Sequence, residues 1–288
     1  MNLGFVTDSG SDIDPDYADK IGVKVVPLNI TFSDEDHIVH KEDRNFNLKV
    51  YYKKYDTVDD FHAKTAQPTP HDFFLAYEEL VKEGIQEIIV VTLSSGLSGT
   101  INSARLAANM LKKGNKDIKV HLIDSLNASY SEVLLIEEGM KLQQQGLEGE
   151  EIVQKLRKHT PNIKTYVLFF SLKYLRKGGR ISVTKYILGS LLKKKPIIVV
   201  NKEGKNEVVA SVTEIDEGIK KVLELSSENY TRIPKKCAII HGNNEELAAK
   251  MESEVKQHFK NVKITKRCTG VTISAHTGPD VVALISEF

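Results

Sequence analysis

Cysteine is scarce in this chain: 288 residues hold two, Cys237 and Cys268, and neither has a partner at C-x-x-C or other metal-ligand spacing. A disulfide framework and a cysteine-held zinc are excluded. The flanking stretches, KKCAIIHG and TKRCTG, read as strands in which a reduced, buried thiol packs as a small apolar group. An excess of one charge is also missing, because 40 basic against 39 acidic side chains leave a formal +1. No global field would draw the chain onto nucleic acid or an anionic membrane, so a charged ligand must be handled by a local site. Long apolar runs are absent too: TYVLFF and PIIVV fall far below the ~18 residues of a bilayer span. The start, MNLGFVTDSGSD, has no basic stretch and soon meets a polar turn, unlike a signal peptide. These features set the expectation of a cytoplasmic protein without a permanent membrane anchor.

What is present is ordinary globular material, 41% hydrophobic and 27% charged, enough for a real core. The length exceeds the roughly 100 to 200 residues of a usual domain, which makes two lobes the starting expectation and one large domain the alternative. Over residues 1–162, short apolar runs alternate with longer amphipathic stretches, the pattern of strand–helix–strand units and a mainly parallel sheet. Strands are predicted over 3–7, 24–32, 86–93 and 119–123, and helices over 17–21, 72–83, 101–112, 129–145 and 150–158. Residues 33–64, rich in charge and aromatics, read as a surface excursion with one helix. The lobe boundary falls near Pro161, because TYVLFF begins a new series of strands, predicted over 166–170, 196–201, 208–212, 237–241 and 263–266. EGKNE looks like a hairpin turn. With helices over 183–192, 215–225 and 245–259, residues 163–288 are expected to form an α+β lobe, beside an α/β lobe over 1–162.

The strongest local feature is TLSSGLSGT, a Ser/Gly/Thr run between an apolar strand and a helix. The N–H groups and dipole at a helix start favour an anion, glycines let backbone approach a ligand, and Ser94, Ser95 and Ser98 supply hydroxyls. The plainer reading is that one serine caps the helix. The turn lacks the lysine of a Walker A loop, and Thr100 stands where G-x-S-x-G needs its last glycine. Nucleotide hydrolysis and serine-hydrolase chemistry therefore rank behind binding. KTAQPTP is a second polar turn, with the Thr65 hydroxyl, the Gln67 amide and two stiffening prolines, Pro68 and Pro70. LRKGGRIS sets Arg176, Lys177 and Arg180 around a Gly-Gly turn. ISAHTGPD holds His276 in a tight turn, where an imidazole can donate to a carboxylate, more strongly when protonated. TDSGSD, with Asp8, Ser9, Ser11 and Asp12, reads as a turn and helix cap, a catalytic acidic loop being the alternative. His37 and His40 sit in the charge-rich excursion and are not expected to bind metal.

Taken in order, TDSGSD, KTAQPTP, TLSSGLSGT, IDSLNAS, LKYLRKGGRIS, LLKKKPIIV and AHTGPD make the chain resemble the DegV family of bacterial proteins over essentially its whole length. The resemblance implies a two-lobe fold that buries one long-chain fatty acid between or beneath its lobes. The ligand would be a sixteen- or eighteen-carbon acid such as palmitate, stearate or oleate. It implies a carrier with no catalytic nucleophile and no cofactor, which presents the acyl carboxylate to a separate ATP-dependent fatty acid kinase that makes acyl phosphate. Carried over by motif, Thr65 and Ser95 would hydrogen-bond the carboxylate, His276 would approach it, and Arg180 would lie near the opening; Ser94 and Ser98 are alternatives to Ser95. A carboxylate buried beside apolar surface does need several donors, since leaving it unpaired costs several kcal/mol or more.

This sequence departs from the family's pattern at Ala66, where serine is common, and at Asp280 after HTGP, where glycine is usual. In VVASVTEIDEGIKK, Ser211 and Thr213 stand where many relatives carry a basic residue near the kinase-facing surface, so the partner can differ or be absent. The competing reading is a phosphoryl- or acyl-transfer enzyme that uses the Ser-Gly loop as an anion site. A third is a serine hydrolase built on Ser95 or Ser98 with His276. A monomer is the expected assembly.

Overall fold

The computed structural model describes residues 3–35, 37–114, 117–181, 194–228 and 233–288. Its first strand, β1 (Leu3–Asp8), is buried at every position, as befits an apolar run inside a parallel sheet. After it come α1 (Pro15–Ile21), β2 (Val23–Val26), β3 (Asn29–Phe32), β4 (His40–Lys41), α2 (Leu48–Thr57), β5 (Ala63–Ala66) and α3 (Pro70–Lys82). β6 (Glu87–Thr92), α4 (Thr100–Gly114), β7 (Lys119–Asp124), α5 (Ser131–Gln144) and α6 (Gly149–His159) follow. The C-terminal part holds β8 (Ile163–Phe169), α7 (Lys173–Lys177), β9 (Lys195–Val200), β10 (Asn206–Val212) and α8 (Ile215–Ser227). It closes with β11 (Lys236–His241), α9 (Glu245–His258), β12 (Lys263–Cys268), α10 (Val271–Thr277) and β13 (Val281–Glu287). These elements divide into one unit of Met1–Thr31, Glu35–Phe46 and Thr65–Pro161, and another of Phe32–Asp34, Asn47–Lys64 and Asn162–Phe288.

The first unit carries a parallel sheet of order β2-β1-β6-β7. Phe73, Tyr77 and Leu80 of α3 and Ala104, Ala107 and Leu111 of α4 pack with Val6, Ile88 and Val90. Phe5, pointing the other way from Val6, meets α5 so closely that a Cβ on Gly139 would lie 2.8 Å from its ring. The chain runs from β1 to β2 on one side and reaches β6 on the other. The strand order therefore reverses between β1 and β6, the place where open α/β sheets accept ligands at the carboxyl ends of their strands.

The strand predicted over 24–32 is two strands in two sheets. Pro27 has no N–H to offer a ladder, and the Leu28 N–H is donated to Ser9 Oγ at 3.0 Å, so the sheet pairing stops at Val26. β3 instead pairs antiparallel with β4 in a small sheet of order β4-β3-β5.

The second unit is built on a mixed sheet of order β10-β9-β8-β13-β11-β12, in which β11 and β12 are parallel and the other pairs antiparallel. Ile219 and Val222 of α8 and Leu247, Met251 and Val255 of α9 cover one face over Leu168, Ile239 and Leu284. β13, which the sequence reading did not anticipate, is buried throughout and lies between β8 and β11. The EGKNE segment does turn a hairpin, with Asn201 donating to Lys205 O at 2.9 Å and Gly204 at φ +71°. Residues 33–64 do contain one helix, α2. They are not merely surface, because Tyr51, Tyr52 and Phe61 are only 1%, 3% and 2% exposed. The helix predicted over 183–192 lies outside the described residues. Both cysteines are free thiols, Cys237 buried and Cys268 half-buried, and burial pushes the Cys237 thiol up to about 11. The expected architecture holds, a parallel α/β sheet first and a mixed α+β sheet second. No described helix is long and apolar enough to cross a membrane.

Candidate functional site

Three polar segments gather at the carboxyl end of the first unit's sheet, where β1 runs into TDSGSD, β6 into TLSSGLSGT and β7 into IDSLNAS. Asp8 ends β1 with no exposed surface. Its Oδ1 accepts the Gly10 N–H at 2.9 Å, capping a short 3-10 turn, and its Oδ2 accepts the Leu93 N–H at 3.0 Å. One carboxylate thus ties the two sides of the switch point together. Asp124 does the same from β7: its Oδ1 accepts from Leu126 N at 2.9 Å and from Ser95 N at 3.2 Å.

The remaining N–H groups of the turn are also engaged. Ser94 donates to Asn127 O at 2.7 Å, Gly96 to Ser94 Oγ at 3.0 Å, and Leu97 and Ser98 both to Ser94 O at 3.0 Å. Every backbone donor from Leu93 to Ser98 has a partner inside the protein. An anion nest made from these N–H groups is therefore not what the turn offers, because neighbouring strands have tied it down from both sides. What the turn leaves toward solvent is side-chain chemistry, its hydroxyls, while at the start of α4 Asn102 N already donates to Gly99 O at 2.8 Å.

The three candidate serines differ in consequence. Ser94 is fully buried and its Oγ receives the Gly96 N–H, a turn-forming role. Ser98 is half-buried with its Oγ 2.9 Å from Thr100 Oγ1. Ser95 is exposed while its own backbone is held by Asp124. Thr65, half-buried on β5, lies two residues before Gln67, whose Nε2 donates to Ser103 Oγ at 2.8 Å. A Cβ on Gly99 would fall 2.0 Å from Gln67 Oε1, so KTAQP and SGLSGT, distant in sequence, pack against each other in this unit.

Acidic groups stand behind the turn. Glu132 has no exposed surface and accepts from Thr7 Oγ1 at 3.0 Å. Burial, with the charges of Asp8, Asp12 and Asp124 adding, raises its pKa well above the ordinary carboxyl value. Asp8 is raised to about 7, chiefly by burial and against the pull of its two N–H bonds, with the charge of Glu42 adding. Asp12, at φ +51°, receives the Ser129 hydroxyl. Asp8 was legible as a local cap, but its long reach to Leu93 was not. The sequence signal for Glu132 is an acid inside the buried run SEVLLI of α5.

Arg180 and His276 belong to the second unit. His276 lies in the last turn of α10 rather than in a tight turn. Two tyrosines of α2 anchor that region: Ser274 Oγ donates to Tyr51 OH at 3.1 Å, and Tyr52 OH donates to Thr269 O at 2.9 Å. α7 ends in Gly178 and Gly179, the latter at φ +68°, and Arg180 N returns to Leu175 O at 3.0 Å, the Gly-terminated stop that a Gly-Gly pair permits. A Cβ on Gly178 would lie 2.1 Å from His276 Nδ1, so imidazole and glycine backbone are in direct contact. Burial, with the nearby charge of Arg180, pulls the His276 pKa down to about 4. In the protein without ligand the ring is therefore uncharged at neutral pH and offers one N–H. Among the described residues no His/Cys/Asp/Glu group could hold a metal.

The family model for the uncharacterised proteins of the DegV family matches residues 2–288. A DegV domain-containing protein of Staphylococcus aureus is 33% identical over 284 residues, covering 97% of this chain and 96% of the relative. Another, from Clostridium acetobutylicum, is 31% identical over 286 residues, 98% of each chain. Among solved structures, a DegV lipid-binding protein of Thermotoga maritima matches with TM-score 0.89 and 25% identity, covering 100% of this chain and 98% of its own. A fatty-acid-binding DegV family protein from Thermus thermophilus matches at 0.88 and 25%, covering 100% and 99%. DegV of Bacillus subtilis, described as a fatty acid binding protein, matches at 0.87 and 26%, covering 100% and 99%.

Proposed function

The chain belongs to the DegV family, and from that premise we propose that it binds one long-chain fatty acid in a buried pocket, without turning it over. The observation that carries this reading is the likeness, over the full length and at 25 and 26% identity, to relatives described as binding lipid or fatty acid. The site residues are Thr65 and Ser95 as hydroxyl donors to the carboxylate, His276 as a further donor, and Arg180 near the mouth. Ser95 is preferred to Ser94 and Ser98 because their hydroxyls already serve Gly96 N and Thr100 Oγ1. The ligand is a sixteen- or eighteen-carbon acid such as palmitate, stearate or oleate. The protein acts as a cytoplasmic monomer and presents the carboxylate to a separate ATP-dependent fatty acid kinase. A phosphate-holding transferase is the weaker reading, since the backbone donors of residues 93–98 that would cradle phosphate are engaged internally.

Calorimetric titration of delipidated protein with palmitate and oleate tests the proposal. Saturable one-to-one binding is expected, with Ser95→Ala and His276→Ala each weakening it roughly 10- to 100-fold, the range for a hydrogen bond to a charged group. Binding of neither acid, or ATP hydrolysis by the chain alone, would refute it.

A further inference from the structure

Two short helices of the second unit end on glycine, and each glycine receives a ring from the other helix. α7 closes where Gly178 donates to Tyr174 O at 2.8 Å, and His276 of α10 lies against that glycine. α10 closes where Gly278 donates to Ser274 O at 2.7 Å, and a Cβ there would stand 2.4 Å from Cδ2 of Tyr174. The contact is reciprocal. Gly278 also sits at φ +78°, so neither the space nor the backbone admits a larger residue.

The Tyr174 ring is braced on its other sides. Tyr55 of α2 meets it edge-on, with centroids 5.6 Å apart, and Lys173 Nζ stands over it at 5.6 Å. Asp60, at φ +47°, reaches the same helix, 2.8 Å from Lys173 Nζ and 3.1 Å from Lys177 Nζ. Those ion pairs are exposed and weak, so the ring contacts carry most of the placement of α7. Arg180, whose Nη1 donates to Gly178 O at 2.5 Å, goes with the end of α7. The burial of His276 and the Arg180 charge beside it therefore both depend on where α7 rests.

We propose that Tyr174 is a positioning residue: seated on Gly278, it locks α7 to α10 and so fixes the His276 imidazole in the place from which it donates to the headgroup. The donor role of His276 rests on the fatty-acid reading, while the interlock itself needs no ligand. Phenylalanine keeps the ring and the lock, and alanine removes both.

The full chain, isotopically labelled at histidine Cε1, is titrated by NMR without ligand, the His276 signal being the one that His276→Gln removes. Wild type and Tyr174→Phe should titrate at about 4, and Tyr174→Ala should move at least about one unit toward the ordinary value near 6.5. By calorimetry, palmitate should bind about tenfold more weakly to Tyr174→Ala and as well as wild type to Tyr174→Phe. Tyr174→Ala should add no further loss once His276→Gln is present. Tyr174→Leu keeps apolar bulk without the flat ring and gives the same readings where the alanine variant fails to fold. An unmoved His276 titration in folded Tyr174→Ala or Tyr174→Leu overturns the inference, as does an equal loss of palmitate affinity with and without His276. Wild type that takes up no palmitate fails the fatty-acid reading and the headgroup role with it, and the titration then decides the interlock alone.

Discussion

The imidazole of His276 rests against the bare backbone of Gly178: a Cβ on that glycine would lie 2.1 Å from Nδ1. Gly178→Ala must therefore push the ring aside, at a cost of about 1 to 3 kcal/mol for overpacking. Fatty-acid affinity should fall with it, because the ring leaves its place. Gly99→Ala is the control. Its Cβ would meet the far end of the exposed Gln67 side chain, which can swing away for the loss of one hydrogen bond to Ser103, about 1 kcal/mol or less. Urea unfolding of the two variants should separate them clearly, and equal losses would contradict this packing.

His276 should tilt stability with pH. Its folded pKa of about 4 lies below the ordinary histidine value of about 6.5, so the unfolded chain takes the proton first. Its contribution is full above about pH 6.5 and is lost as pH falls toward about 4. His276→Gln should remove that dependence. Unfolding free energies of wild type and variant, measured at intervals from pH 4 to 8, check the sign.

Asp8 acts in the opposite direction. Its folded pKa of about 7 exceeds the ordinary aspartate value of 3.8, so the folded protein holds the proton more tightly than the unfolded chain. The contribution is full below about pH 4 and is lost as pH rises to about 7. The two slopes oppose each other in wild type between about pH 4 and 6.5. Asp8→Asn should leave the His276 rise exposed, and His276→Gln should leave the Asp8 fall exposed. Variants whose pH profiles run parallel to wild type would contradict both assignments.

Tyr52 connects α2 to the segment that opens α10. Its hydroxyl donates to Thr269 O at 2.9 Å and the residue is 3% exposed, so Tyr52→Phe leaves a buried carbonyl without that donor. A loss of about 1 to 2 kcal/mol is expected by chemical denaturation. No measurable loss would mean that the carbonyl finds another donor.

Much of this architecture could be read along the chain. EIIVVT and KCAIIH are unbroken apolar runs bounded by turn residues, and both are buried strands. VVALISE is just as apolar, but no turn residue closes its far end before Phe288, and it passed unread as β13. α10 was hidden for a different reason. VTISAHT is rich in β-branched residues with weak helix propensity, and the helix is held by Tyr51 and Tyr52. Those tyrosines sit in KVYYKKYD, whose lysines suggest surface, although one face of the helix is buried. At the candidate site, the serines and Thr65 are legible as motifs. The engagement of residues 93–98 was not, since it depends on Asp8, Asp124 and Asn127, which come from other strands and loops.

The most direct test of fatty-acid binding is mass spectrometry of organic extracts from protein purified under native conditions, beside denatured-protein and buffer controls. A stoichiometric sixteen- or eighteen-carbon acid is expected, present again after delipidation and reloading with palmitate or oleate. Extracts that stay blank through both steps would contradict it.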